Sequence, residues 1–297
     1  MKTLFKSVMR TAPCASPIRA SREGAGSMMN VGARFLGTEG GRIAYDDTGG
    51  NGRLVIAVPG MGDLRQQYRY LAPRLKEEGY RVVTMDVRGQ GASSVHWQDY
   101  SAQAAGRDVL ALVNTLQASS AIVIGNSFAA GAAAWAAYMA PRCIRGAVLI
   151  GPIVRDLPMS PWIAAMVKIG FMGPWRNGFW LKYWDSLFPT QKPADHRHYR
   201  EQLRRNLSEP GRMSALRRMI GLSKEGTEAI MEKIHMPSLI VMGSKDADFP
   251  DPEKEARLLA SKLRASVLMV DGAGHYPHVE MPDRVAPGII AFLGRLA

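Results

Sequence analysis

Short runs of apolar residues, rich in valine and isoleucine, recur along this chain between longer stretches in which apolar positions return every three or four residues. The first pattern suits a strand buried on both faces and the second a helix with one face on a core, so their alternation predicts a parallel sheet covered on both sides. Strands are expected at residues 54–58, 80–86, 121–124, 144–150, 237–243 and 266–270. Helices are expected over 66–78, 101–117, 132–139, 252–263 and 282–296. Ahead of these, residues 33–47 carry two short stretches around Thr38-Glu39-Gly40-Gly41, which predicts an antiparallel hairpin at one edge. The expected fold is α/β, a mostly parallel sheet of the eight-stranded type with helices on both faces.

The alternation halts after residue 154 and resumes at 236. Residues 155–235 carry Trp162, Trp175, Trp180 and Trp184, several prolines, and amphipathic stretches at 198–207 and 213–222. That is too long for a structureless loop, so it predicts a helical insertion between the sixth and seventh strands, seated over the strands' carboxyl ends as a cap. The core domain is then 31–154 with 236–297, and the cap is 155–235. Most cap aromatics should form its own packing, with Trp162, Trp180 and Trp184 as candidates to face substrate. The apolar stretch from Trp162 to Phe188 is expected to pack over the site rather than meet a lipid surface, and no apolar run approaches the ~18 residues of a membrane span.

Charge adds a constraint on partners. The formal net charge is +12, but the excess is spread: residues 1–30 hold five basic residues against Glu23, and residues 155–235 hold 14 against 8 acids. No nucleic-acid-binding signature accompanies it, so a small-molecule substrate is expected and a nucleic-acid partner is not. Residues 1–30 read as a basic, disordered tail, with a chain start near Met28 and Met29 or organellar targeting by residues 1–27 as the two explanations. The tail lacks the 7–15-residue apolar stretch of a secretory signal, so the expected compartment is the cytoplasm.

Candidate chemistry centres on Gly125-Asn126-Ser127-Phe128-Ala129, where a β-branched run passes directly into an alanine-rich segment. A strand, sharp turn and helix in that order would lift Ser127 over the sheet edge, with small residues required two places before and after it. A serine nucleophile needs a base, and the base needs an orienting acid. Of six histidines, His275 alone follows a predicted strand through a glycine-containing loop. His278 is more simply structural, and His96, His196, His198 and His235 are more simply solvated or satisfied. The loop after strand 237–243 offers Asp246 or Asp248 as the acid, with Asp246 favoured by the turn at Gly243.

Together with Asp86-Val87-Arg88-Gly89-Gln90-Gly91-Ala92-Ser93, these motifs are similar to those of the α/β-hydrolase-fold superfamily, whose serine-nucleophile members carry the order Ser, Asp, His. The resemblance covers about residues 33–297. It implies a triad of Ser127, Asp246 and His275, and oxyanion donors in the backbone N–H groups of Phe128 and Met61. Pro59 stands where the family often has histidine, and Ala129 where it usually has glycine. The 86–93 turn is expected to be architectural. The implied reaction is hydrolysis of a carboxylic ester through an acyl-enzyme, with no metal and no organic cofactor. Haloalkane dehalogenases and epoxide hydrolases of similar architecture use an elbow Asp, against Ser127. The Gly-Asn-Ser turn also resembles carbon–carbon bond hydrolases of ring-cleavage products, although Tyr276 stands where that family usually has Trp. The other alternative is a non-catalytic ligand-binding protein on a hydrolase scaffold. Oligomeric state is not legible.

Overall fold

A computed structural model describes residues 32–158 and 160–296; the basic segment 1–30 and its proposed roles lie outside the described residues. Eight strands form one sheet: β1 (Arg34–Thr38), β2 (Gly41–Asp47), β3 (Leu54–Val58), β4 (Arg81–Met85), β5 (Ala121–Asn126), β6 (Ile144–Ile150), β7 (Ser238–Gly243) and β8 (Ser266–Val270). Their spatial order is β1-β2-β4-β3-β5-β6-β7-β8. Pairs β1/β2 and β2/β4 are antiparallel and all others parallel. The edge hairpin and the parallel run follow the expected pattern because β3, β5 and β7 are buried at every position.

The helices between strands are α1 (Leu71–Glu77), α2 (Ala102–Thr115), α3 (Phe128–Met139), then α4 (Pro161–Gly170), α5 (Arg176–Ser186), α6 (His196–Ser208), α7 (Arg212–Ile220) and α8 (Glu225–Met231), followed by α9 (Pro252–Leu263), α10 (Pro277–Glu280) and α11 (Pro282–Gly294). Two buried clusters cover the two faces of the sheet. One combines β3, β5 and β6 residues with α2 and α3, and the other places Val55, Ile122 and Val241 against α1 and α11.

The single helix expected over 66–78 is instead a 3₁₀ turn at Arg65–Tyr68 and α1. Pro73 is the reason: it has no N–H, and it sits in the first turn of α1, where none is needed. A continuous helix would have put it in the interior. The other departure is α3, which begins at Phe128, immediately after the serine, and not at Ala132.

Helices α4 to α8 lie between β6 and β7 in sequence, and their side chains reach the loops that follow the sheet strands. Tyr199 on α6 donates to Asp63 Oδ1 at 2.6 Å, and Tyr183 on α5 to Asp248 Oδ1 at 2.6 Å. Arg69 holds Asp195 through two hydrogen bonds, and Asn206 exchanges a pair with the backbone of Gly91. The 86–93 turn is braced in the expected manner. Asp86, fully buried, accepts from the Arg65 amide and guanidinium at 2.7 Å each, and Arg88 grips Asp108 with two bonds. Among the described residues no helix is long and apolar enough to cross a membrane.

Candidate active site

The turn from β5 into α3 is built around a close approach. A Cβ on Gly125 would lie 2.2 Å from the carbonyl oxygen of Ala129, so strand and helix are nearer than any side chain there allows. The methyl of Ala129 itself is fully buried and tolerated. Between them Ser127 has φ 57° and ψ −123°, a left-handed conformation that costs a non-glycine residue of order 1–3 kcal/mol and persists only where surroundings over-determine it. The surroundings are visible. Ser127 N–H donates to Ile150 O at 2.8 Å, and its carbonyl accepts from Ala130 and Ile153.

His275 follows β8 and is buried, with Nδ1 2.8 Å from Asp246 Oδ2. That contact sets Nδ1–H as the donor, so Nε2 is the nitrogen that offers a lone pair whenever the ring is neutral. Asp248 is the second acid at the same ring, its Oδ2 3.4 Å from Nδ1, while its own N–H donates to Asp246 Oδ1 at 3.0 Å. The sequence left the two acids as alternatives; both surround His275, and the hydrogen bond belongs to Asp246. Burial opposes charging of His275, but the fields of Asp246 and Asp248 and the Asp246 hydrogen bond outweigh it and raise the imidazole to about 9. Burial pushes the Asp248 carboxyl up. Ser127 Oγ and His275 Nε2 are not hydrogen-bonded in this structure; in unliganded sites such pairs are commonly long and tighten when substrate binds.

Gly151 makes room for the acid–base pair. Its φ is +49°, and a Cβ there would lie 2.9 Å from His275 Nδ1 and 3.1 Å from Asp246 Oδ2. Gly151→Ala is therefore expected to separate the pair and lower any His275-dependent turnover by about 10²-fold or more, the scale of a 1 Å misplacement. Circular dichroism of the variant should remain that of the parent; unchanged turnover would mean that the His275–Asp246 contact is not used.

The loop Pro59-Gly60-Met61-Gly62 packs on the elbow: a Cβ on Gly60 would lie 3.1 Å from Ser127 Cβ. The amides of Met61 and Phe128 make no hydrogen bond among the described residues, which leaves both free to donate. Sequence reasoning missed what holds the loop. Gln67 accepts from Gly60 N–H at 3.1 Å and donates to Asn126 Oδ1 at 2.8 Å. Asn126 in turn donates to the carbonyls of Ile150 and His275. Gln67 Nε2 also lies 3.1 Å from His278 Nε2, and burial lowers His278 to about 3, so this ring is a neutral acceptor. The only sequence signal for this network was Asn126 within the elbow motif.

Asp63, directly after the loop, was also missed. It is buried, accepts from Leu64 N–H and Tyr199, and has its carboxyl pushed up by burial.

The three tryptophans part company. Trp180 is buried against Gly62 of the loop. Trp184 is 1% exposed and stacks on His196 at 4.8 Å within the insertion's own core, with Phe188, Tyr199 and Tyr276 around it. Trp162 is 73% exposed, so the expectation that it contacts substrate is not met. The reason is helical phase: Trp162, Met166 and Ile169 form one outward stripe of α4, whereas Val167 and Phe171 turn inward. Met172 and Trp175 extend that exposed stripe, so this part of the 162–188 stretch does not pack over the site as expected.

A recess of about 140 Å³ borders the elbow, lined by Phe128, Ile153, Trp135, Met219, Leu222 and Lys224 among others. Asp246, Asp248 and His275 also present ligand atoms within 4.8 Å of one another, the one such cluster among the described residues. With Nδ1 protonated toward Asp246, however, the imidazole has no lone pair on that side to offer an ion.

The sequence profile of the alpha/beta hydrolase family matches residues 55–287. The chain belongs to that family, a class of hydrolases. Among its relatives is Epoxide hydrolase A of Mycobacterium tuberculosis, 22% identical over 318 aligned residues that cover 88% of this chain and 96% of the relative. A bromoperoxidase from Bacillus anthracis superposes with TM-score 0.77 at 21% identity, covering 88% of this chain and 99% of its own. An esterase from Exiguobacterium antarcticum superposes with TM-score 0.75 at 19% identity, covering 88% and 98%.

Proposed function

We propose that this protein hydrolyses a carboxylic ester of small to medium size through an acyl-enzyme, as a serine carboxylesterase. The observation that carries this reading is the strained Ser127 at the strand-to-helix turn, taken with the 2.8 Å His275–Asp246 bond on the same sheet edge. Ser127 Oγ attacks the ester carbonyl while His275 Nε2 takes its proton, and Asp246 holds the ring and stabilises the imidazolium. The carbonyl oxygen becomes an oxyanion facing the N–H groups of Met61 and Phe128. Collapse expels the alcohol, protonated by His275. Water, deprotonated by the same imidazole, then attacks the acyl-enzyme and releases the acid, restoring Ser127. No metal or organic cofactor enters these steps.

Residues 155–235 act as the cap over residues 31–154 and 236–297, and Trp180 is its residue nearest the oxyanion loop. Trp184 serves the cap's packing. The epoxide-hydrolase name of the relative is not carried over, because the resemblance implies an elbow aspartate in those enzymes and this chain has Ser127.

The test is direct. Purified protein should hydrolyse p-nitrophenyl butyrate and react with a fluorophosphonate probe at Ser127. Labelling without ester turnover, together with cleavage of a ring-fission diketone, would move the reading to carbon–carbon hydrolysis. Neither labelling nor turnover would leave the binding-protein alternative.

A further inference from the structure

The indole N–H of Trp180 is a buried donor with no partner. Trp180 is 6% exposed, and its Nε1 finds no acceptor among the described residues. Buried tryptophan N–H groups nearly always have one, so an exception in a well-packed region calls for a cause. Its surroundings supply one. A Cβ on Gly62 would lie 2.8 Å from Trp180 Nε1 and 2.6 Å from Cε2, so the polar edge of the ring rests on the oxyanion loop, one residue beyond Met61.

Helix α5 fixes which end of the site this edge serves. Tyr183, one turn further along, packs its ring 5.1 Å from that of Trp180 and donates to Asp248, which borders His275. The same helix face therefore runs from the oxyanion loop to the histidine. The alcohol leaves at the histidine end, where it must be protonated. At the Trp180 end the carbonyl oxygen gathers charge. Phe171 and Tyr183 both pack against the ring, with centroids 6.0 and 5.1 Å from its own, so the donor is held in place.

We infer that Trp180 Nε1–H is a third oxyanion donor, completing the pair formed by Met61 and Phe128, and that it bonds the substrate oxygen only as that oxygen becomes negative. The inference rests on the serine-esterase reading above.

Trp180→Phe tests it, because the ring's apolar contacts are largely kept while the N–H is removed. With p-nitrophenyl butyrate, kcat is expected to fall by about 10²-fold, the scale of losing one oxyanion donor, with KM within about twofold. Fluorophosphonate labelling of Ser127 should slow in parallel, since the phosphonyl oxygen occupies the same position. Unchanged kcat and labelling, or a raised KM at constant kcat, would overturn the assignment.

A second measurement needs no variant. In ¹⁵N-labelled wild-type protein, the Trp180 indole proton should move downfield once the phosphonate adduct forms, and an unmoved resonance would also overturn it. Wild-type protein that neither labels nor turns over ester would defeat the esterase reading itself, a different result from a fully active Trp180→Phe enzyme.

Discussion

Ser127→Ala is expected to lower ester hydrolysis by about 10⁴-fold or more and to abolish fluorophosphonate labelling, the scale of losing a triad nucleophile. The fold should survive. Alanine at φ 57° carries much the same strain as serine, and the backbone bonds that hold the turn, from Ser127 N–H to Ile150 and from Ala130 and Ile153 to the Ser127 carbonyl, use no side-chain atom. A thermal midpoint within a few degrees of the parent would confirm that the loss is chemical. Residual activity is expected to be small but measurable, because the Met61 and Phe128 amides remain. Retained labelling would mean a different nucleophile.

The two acids beside His275 should separate cleanly. Asp246→Asn removes the carboxylate that accepts from Nδ1 and is expected to cost about 10⁴-fold in kcat, the scale seen when a triad aspartate becomes an amide. Asp248→Asn should act through charge alone. The imidazole must be neutral to accept the serine proton, and with its pKa raised to about 9 it is protonated at neutral pH. Activity of the parent should therefore climb as pH rises through about 9, well above the ordinary histidine range. Removing the Asp248 charge, 3.4 Å from Nδ1, lowers that pKa, so the rising limb shifts toward neutrality and activity at pH 7 increases. Equal losses in both variants, or a rising limb near 6.5 in the parent, would contradict this division of roles.

Much of the site was legible before any coordinates because local chemistry demands it. A tight strand-to-helix turn around a serine needs small residues at fixed offsets, and Gly125 and Ala129 announce it. Loops leaving the last two strands had to emerge on the same edge as Ser127 once the sheet was parallel, which pointed to His275 and to Asp246 or Asp248. Other groups left no such trace. Gln67 is an ordinary polar residue in a helical stretch, yet it ties Gly60 to Asn126, a residue 59 positions further along the chain from Gln67 itself. Gly151 resembles any strand-end glycine until its missing Cβ proves to be the space that the His275–Asp246 pair occupies.

The insertion marks the boundary most sharply. Its tryptophans are alike in sequence, and their fates differ by helix and by position: Trp162 lies on the outward face of α4, whereas Trp180 and Trp184, four residues apart, share the buried face of α5. Trp162 faces solvent, Trp184 closes the insertion's core, and Trp180 rests on the loop at Gly62. By itself the sequence determined the alternation of strands and helices, the elbow and the order of Ser127, Asp246 and His275, since each depends on periodicity or on contacts a few residues apart. Only the tertiary structure decided that Asp248 joins Asp246 at one imidazole, that Gln67 and Asn126 brace the loop, and which tryptophan meets it. Those contacts join residues far apart in the chain, and their geometry follows from how whole elements pack.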